Sequence, residues 1–186
     1  MHIILIGYRG TGKSAVGKKL AEKLQMPFYD MDELIEDATG RSIQEMVTEN
    51  GWAYFRERER EMVRKLTAFQ RSIIATGGGA VMDEGNADIL KKHGILIWLN
   101  ADVKTIVGRI QDDLNSKERR PSFSKDGIIQ ETEDVLKLRI PVYSRLADFS
   151  IDTTNKNIDE IVSSICHFLS RTDRFDKKES ACQEVP

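Results

Sequence analysis

Residues 7–14 read Gly-Tyr-Arg-Gly-Thr-Gly-Lys-Ser, the pattern G-x-x-x-x-G-K-S. Gly7, Gly10 and Gly12 let the backbone curl so that successive N–H groups point inward at an anion. Lys13 brings a point charge to the β- and γ-phosphates of a nucleotide, and the Ser14 hydroxyl can ligate Mg²⁺. Gly10, Thr11, Gly12, Lys13, Ser14 and Ala15 are therefore the candidate nucleotide-binding residues. The alternative is a flexible glycine turn that happens to precede a lysine. The flanks argue against it: an apolar run, Ile3–Ile6, leads in, and Val16, Leu20 and Leu24 lead out at helical spacing. Strand, glycine turn and helix N-terminus in that order make a phosphate cradle.

Further along, Phe28-Tyr29-Asp30-Met31-Asp32 ends a strand-like segment in two carboxylates. Read as extended chain, Asp30 and Asp32 share a face. Together they suit a divalent cation, or one orients Mg²⁺ while the other accepts a proton. The structural alternative is that Asp32 caps a helix beginning at Glu33. The strand near 72–75 ends in Ala75-Thr76, without the acidic residue that many phosphate-loop enzymes use for Mg²⁺, and Asp30 is the candidate to fill that gap. Arg56 and Glu59 lie on an apolar helical stripe of Trp52, Phe55, Met62, Val63 and Leu66, so a charged pair faces inward. It is either a structural ion pair or an arginine held rigid to present its fork to an anion. Arg139 repeats the pattern within a stripe of Val135, Leu138, Val142 and Leu146, with Pro141 expected to kink the helix beside it. Two inward arginines would form a carboxylate or phosphate clamp. Gly77-Gly78-Gly79 allows close backbone approach to a ligand, and Arg120, in a polar loop, could stabilise a transferring phosphoryl group.

These residues need elements to hold them. Strand-like segments at about 2–6, 27–30, 72–75, 94–99 and 148–152 alternate with helical patterns, as in a parallel α/β sheet. The polar stretch Gln111–Asp126 reads as a lid, and residues 171–186 as a tail without apolar periodicity. The chain of 186 residues is one domain's worth, with residues 1–170 as its body. A formal charge of −2 leaves no basic stripe for nucleic acid. No apolar run approaches membrane-spanning length and no signal segment is visible, and Cys166 and Cys182 form no disulfide or metal pattern. A cytoplasmic monomer acting on small molecules is the expectation. His2, His93 and His167 read as surface or helix-end residues.

Taken together, the phosphate loop, Asp30-Met31-Asp32, Phe55-Arg56-x-x-Glu59, Gly77-Gly78-Gly79, Arg120-Pro121, and Arg139 with Tyr143 resemble the shikimate kinase family in order and approximate spacing. The resemblance implies ATP-dependent phosphorylation of the 3-hydroxyl of shikimate, a step toward chorismate and the aromatic amino acids. It implies a three-layer α/β/α fold around a five-stranded parallel sheet of order 2-3-1-4-5 with a closing lid. Carried over by motif, Asp32 is the candidate base and binds substrate hydroxyls, and Asp30 holds Mg²⁺ through water. Arg56, Arg139 and the Gly77–Gly79 backbone bind shikimate, Lys13 and Arg120 act on the phosphates, and Arg109 lies on the adenine side. Lys156 occupies the region of a second adenine-flanking residue. Two other readings stand beside it. One is a gluconate- or nucleoside-monophosphate-type kinase on the same scaffold. The other is a nucleotide switch, which the near-match Asn155-Lys156-Asn157-Ile158-Asp159 to a guanine-reading N-K-x-D raises, although its Asp falls one residue late.

Overall fold

The computed structural model describes residues 1–112 and 125–172. In chain order the elements are β1 (His2–Ile6), α1 (Lys13–Leu24), β2 (Phe28–Asp30), α2 (Met31–Thr39), α3 (Ile43–Leu66), β3 (Ile73–Ala75), a 3-10 turn (Ala80–Met82), α4 (Glu84–His93), β4 (Gly94–Asn100), α5 (Val103–Asp112), α6 (Lys125–Leu146), β5 (Phe149–Asp152) and α7 (Ile158–Ser170). The five strands are parallel in the order β2-β3-β1-β4-β5. A central strand covered on both faces must be apolar throughout, and every residue of β1 is buried. Its side chains alternate between two cores. Ile3 and Leu5 pack with α1 and α7, through Val16, Leu20, Ile161 and Ile165. Ile4 and Ile6 pack on the other face with Met31, Phe55, Val63, Leu90 and Tyr143. The result is the three-layer α/β/α arrangement.

The register explains where a site can form. Leu5 pairs with Ala75, and Ala75 pairs with Asp30. The chain therefore leaves β1, β3 and β2 at one level, on the carboxyl edge where open α/β sheets bind ligands. The phosphate loop, the glycine triplet and Asp30 are neighbours for that reason.

Several expectations change. Asp30, not Asp32, is the cap: its side chain accepts from the Asp32 amide at 3.1 Å, and helix α2 begins at Met31. Asp32 thus sits in the first turn of a helix rather than on extended chain. Trp52 is 47% exposed. It follows Gly51, whose φ of 79° and ψ of 170° interrupt α3, and its ring lies against Phe55 and Arg56 at the end of the packed stripe. Leu138 is 77% exposed, because the face of α6 that packs inward is Thr132, Leu136, Arg139 and Tyr143. Leu138 stands about 200° round the helix from Leu136. Helix α6 runs on through Pro141 to Leu146. His2 is buried, with Nδ1 2.9 Å from Ser72 Oγ. Ile158 is exposed at the start of α7, where Asn157 caps the helix in a box with Glu160. That cap gives Asn157 a structural role within the near-match to N-K-x-D. The expected lid and tail lie almost wholly outside the described residues, and Arg120 with them.

Candidate active site

Helix α1 opens on Gly12, with φ 91°, no side-chain cap and no acidic residue in its first turn. Its first N–H groups and the positive end of its dipole face the loop. Gly7 has φ 136° and Gly10 φ 75°. At Gly7 the glycine is required twice over, since a Cβ there would fall 2.2 Å from the Leu99 carbonyl oxygen. Lys13 is buried and donates to the carbonyls of Gly7 and Tyr8, both at 2.8 Å. The ammonium is thereby held over the concavity where phosphate oxygens would replace those carbonyls. Thr11 donates to the Tyr8 carbonyl at 2.7 Å and closes the loop on itself.

Ser14 Oγ donates to Asp30 Oδ2 at 2.6 Å. A hydroxyl whose proton is committed to a carboxylate turns its lone pairs outward, toward a cation. Burial, first of all, raises the Asp30 carboxyl above its ordinary range. Asp32 and Glu33 add to this, while the Ser14 hydrogen bond and Lys13 oppose it. Among the described residues no group of three or more His, Cys, Asp or Glu side chains could hold a metal. Ser14 and, through water, Asp30 offer the hard oxygens that suit Mg²⁺.

Across the crevice stands a wall made of side chains. Arg56 Nη1 donates to Glu59 Oε2 at 2.6 Å, and Glu59 is 1% exposed. A Cβ built on Gly77 would come within 2.8 Å of both Asp32 Oδ1 and Glu59 Oε1, and one on Gly79 within 2.7 Å of Arg56 Nη2. The glycines therefore exist at these positions so that carboxylates and guanidinium can lie directly on the backbone. From α6, Arg139 Nη1 donates to the Gly78 carbonyl at 3.0 Å, and its guanidinium lies 5.6 Å from the Tyr8 ring centroid. A Cβ on Gly78 would approach the Arg9 amide at 3.3 Å. Arg56, Arg139 and Asp32 are thus gathered round the glycine triplet, beside the phosphate loop.

Arg109 reaches the same edge from α5. It donates to the Thr153 carbonyl at 2.7 Å, to Thr153 Oγ1 at 3.0 Å and to the Gly10 carbonyl at 3.4 Å. Thr153, buried and donating to the Asn100 carbonyl at 2.9 Å, ties the exit of β5 to the loop. Sequence reading missed Thr153 and Tyr8. The available signal for Thr153 was its place just past the fifth strand, at the ligand edge. Lys156 is exposed. Ala15 follows Ser14 in the first turn of α1 and is exposed.

A family model described as shikimate kinase matches residues 9–170. A shikimate kinase of Syntrophus aciditrophicus (strain SB) is 49% identical over 172 residues, covering 88% of each chain. Among solved structures, shikimate kinase from Acinetobacter baumannii in complex with shikimate matches with a TM-score of 0.84 at 33% identity, over 90% of this chain and 92% of that one. Shikimate kinase from Bacteroides thetaiotaomicron matches with a TM-score of 0.82 at 30% identity, over 91% and 98%. With a phosphate loop, a carboxylate at the end of β2, and two arginines on a glycine triplet all at one sheet edge, the chain belongs to the shikimate kinase family.

Proposed function

We propose that this protein transfers the γ-phosphoryl group of ATP to the 3-hydroxyl of shikimate, giving shikimate 3-phosphate, as a cytoplasmic monomer acting on small molecules alone. The observation that carries the reading is the placement of Arg56 and Arg139, from separate helices, on adjacent glycines beside the phosphate loop. Two guanidinium forks suit one carboxylate, and Asp32 in the same wall suits the hydroxyls of a small polyol.

Phosphoryl transfer asks little covalent help of a protein, so positioning and charge neutralisation supply most of the acceleration. The glycine amides and the α1 N-terminus hold the phosphates. Lys13 exchanges its two loop carbonyls for β- and γ-phosphate oxygens. Ser14, and Asp30 through water, would hold Mg²⁺, which would supply neutralisation of phosphate charge. Arg56 and Arg139 fix the acceptor by its carboxylate, with the Gly77–Gly79 backbone beneath it. Asp32 orients the 3-hydroxyl and takes its proton as the new P–O bond forms. Arg109 braces the loop on the adenine side, and Arg120 completes the charge balance over the transferring group.

A coupled ADP-release assay with and without shikimate tests the reaction, and gluconate and nucleoside monophosphates in the same assay test the alternative kinases. Turnover that needs shikimate, ATP and Mg²⁺ together is the expected result. Replacing Asp32 with Asn should lower kcat by about 10²–10⁴-fold; a fully active Asn variant removes it from the proton-accepting role.

A further inference from the structure

The carbonyl of Gly78 accepts two hydrogen bonds, and both come from α6. One is from Arg139 Nη1 at 3.0 Å, the other from the Tyr143 hydroxyl. Residues four apart share a helix face, so the pair closes on one oxygen. A carbonyl has two lone pairs, and here both are used. Tyr143 is 1% exposed, and its ring stacks on Trp98 of β4 at 5.9 Å with 29° between planes. Trp98 in turn pairs in register with Ile6, the residue before Gly7. The phenol is therefore anchored to the sheet directly beneath the phosphate loop, whereas Arg139 is half-buried and touches only the triplet and the Tyr8 ring among these groups.

We propose that Tyr143 is a positioning residue: its hydroxyl holds the Gly78 carbonyl toward α6 and so sets both Arg139 and the Gly79 amide for the acceptor. The inference rests on the acceptor reading of the glycine triplet given above. Its logic is one of competition and direction. Across a trans peptide the carbonyl and the following N–H point opposite ways, so a carbonyl held toward α6 aims the Gly79 N–H away from it. With one lone pair filled by a rigid phenol, Arg139 spends a single N–H on the carbonyl, and the rest of its five donors stay available to an anion. Without the hydroxyl, the buried carbonyl draws more of the guanidinium onto itself and the triplet peptide is free to rotate. Acceptor binding loses its geometry, while the phosphate loop keeps its own.

The test is Tyr143→Phe, which keeps the ring and its stacking, assayed in the full chain with shikimate and ATP varied separately. The expected result is an acceptor KM raised by roughly 3- to 10-fold, the worth of one neutral hydrogen bond. The KM for ATP and kcat should stay close to those of the unsubstituted protein, and the melting temperature should fall by only a few degrees, since the Gly78 carbonyl keeps Arg139. In an Arg139→Ala background the same substitution should raise the acceptor KM less, because the two residues act on one carbonyl. An unaltered acceptor KM, effects that multiply fully in the double variant, or equal shifts in both KM values with a much lowered melting temperature would each overturn the proposal. Absence of shikimate-dependent turnover in the unsubstituted protein would overturn the function reading and this inference with it; normal turnover with an unaltered Phe variant sinks the inference alone.

Discussion

The two halves of the crevice are built from different materials. The phosphate side is largely backbone: Lys13 and Thr11 bond to carbonyls no more than six residues away, with Arg109 and Thr153 bracing the loop from outside. The acceptor side is side chains brought from α2, α3 and α6 onto a triplet after β3, and the Arg139–Gly78 contact spans 61 residues. The two sides also differ in what surrounds their glycines. At Gly7 the obstructing atom is the carbonyl of Leu99, inside the sheet; at Gly79 it is the tip of Arg56, on a long flexible stem. Local backbone geometry makes a rigid seat for a group common to all nucleotides, and assembled side chains make an adjustable wall for the acceptor.

The sharpest way to break that contrast is to place the same methyl group on each side. Gly7→Ala puts a Cβ 2.2 Å from a sheet carbonyl at φ 136°. Backbone strain alone costs on the order of 1–3 kcal/mol there, and Leu99, paired with Ile151, has no room to retreat. The expected outcome is a large fall in melting temperature, or no soluble protein, with turnover lost. Gly79→Ala should fold and bind ATP normally while its acceptor KM rises, because only Arg56 must move. Equal damage from both substitutions, read by thermal melts and steady-state kinetics, would erase the distinction.

The arginines refine the comparison within the acceptor wall. Either alanine variant should raise the acceptor KM by roughly 10- to 100-fold, the range for charge-assisted hydrogen bonds. Only Arg56→Ala should also destabilise the fold, because it takes the guanidinium away from a carboxylate that is 1% exposed. The Arg56 side chain is itself 31% exposed, so the loss should be at most about 3 kcal/mol. At about 2–4 °C per kcal/mol for a chain of this size, calorimetry resolves it. Arg139 bonds to a carbonyl and lies over a ring, and its removal should leave the melting temperature nearly unchanged. A melting temperature that falls equally for both would make Arg139 a structural residue.

The same division decided what the sequence could reveal. The phosphate loop was legible as a motif, since eight contiguous residues and their flanks carry it, although the part Tyr8 plays within it was not. Every strand fell within a residue or two of its observed place, because the apolar runs of a doubly covered sheet are short and bounded by polar turns. Arg56, Glu59 and Arg139 were legible as charges on apolar faces. The faces themselves were partly misread, because Trp52 lies just past the break at Gly51 and the inward face of α6 carries Thr132 and Tyr143 in place of Leu138. A polar or phenolic residue on a buried face looks like a solvent position until the helix is docked. Helix-start chemistry was misplaced by two residues at Asp30, since an acid at a strand's end and an acid in a helix's first turn have the same composition. Contacts such as Tyr143 with Gly78 or Thr153 with Arg109 depend on how α5, α6 and β5 meet the triplet and the loop, and no spacing rule encodes that.

The smallest effect belongs to the residue that joins the two sides. Asp30 caps α2 through one oxygen and receives the Ser14 hydroxyl on the other, while burial raises its carboxyl above the ordinary value. A carboxyl raised on folding binds its proton more tightly in the native state than in the unfolded chain. Its contribution to stability is full below the unfolded value, near pH 4, and is lost as pH rises through the folded one. Asn keeps both acceptor roles, at the cap and toward Ser14, without the charge. In metal-free buffer Asp30→Asn should therefore gain melting temperature relative to the unsubstituted protein as pH goes from acid to neutral. The same variant should require more Mg²⁺ for half-maximal turnover, because the carboxylate that is unfavourable alone is the one a cation would neutralise. A melting difference that shrinks with rising pH would reverse the sign of the Asp30 shift. An unchanged Mg²⁺ requirement would leave Asp30 as a helix cap and a brace for Ser14, with the cation held by Ser14 and the nucleotide.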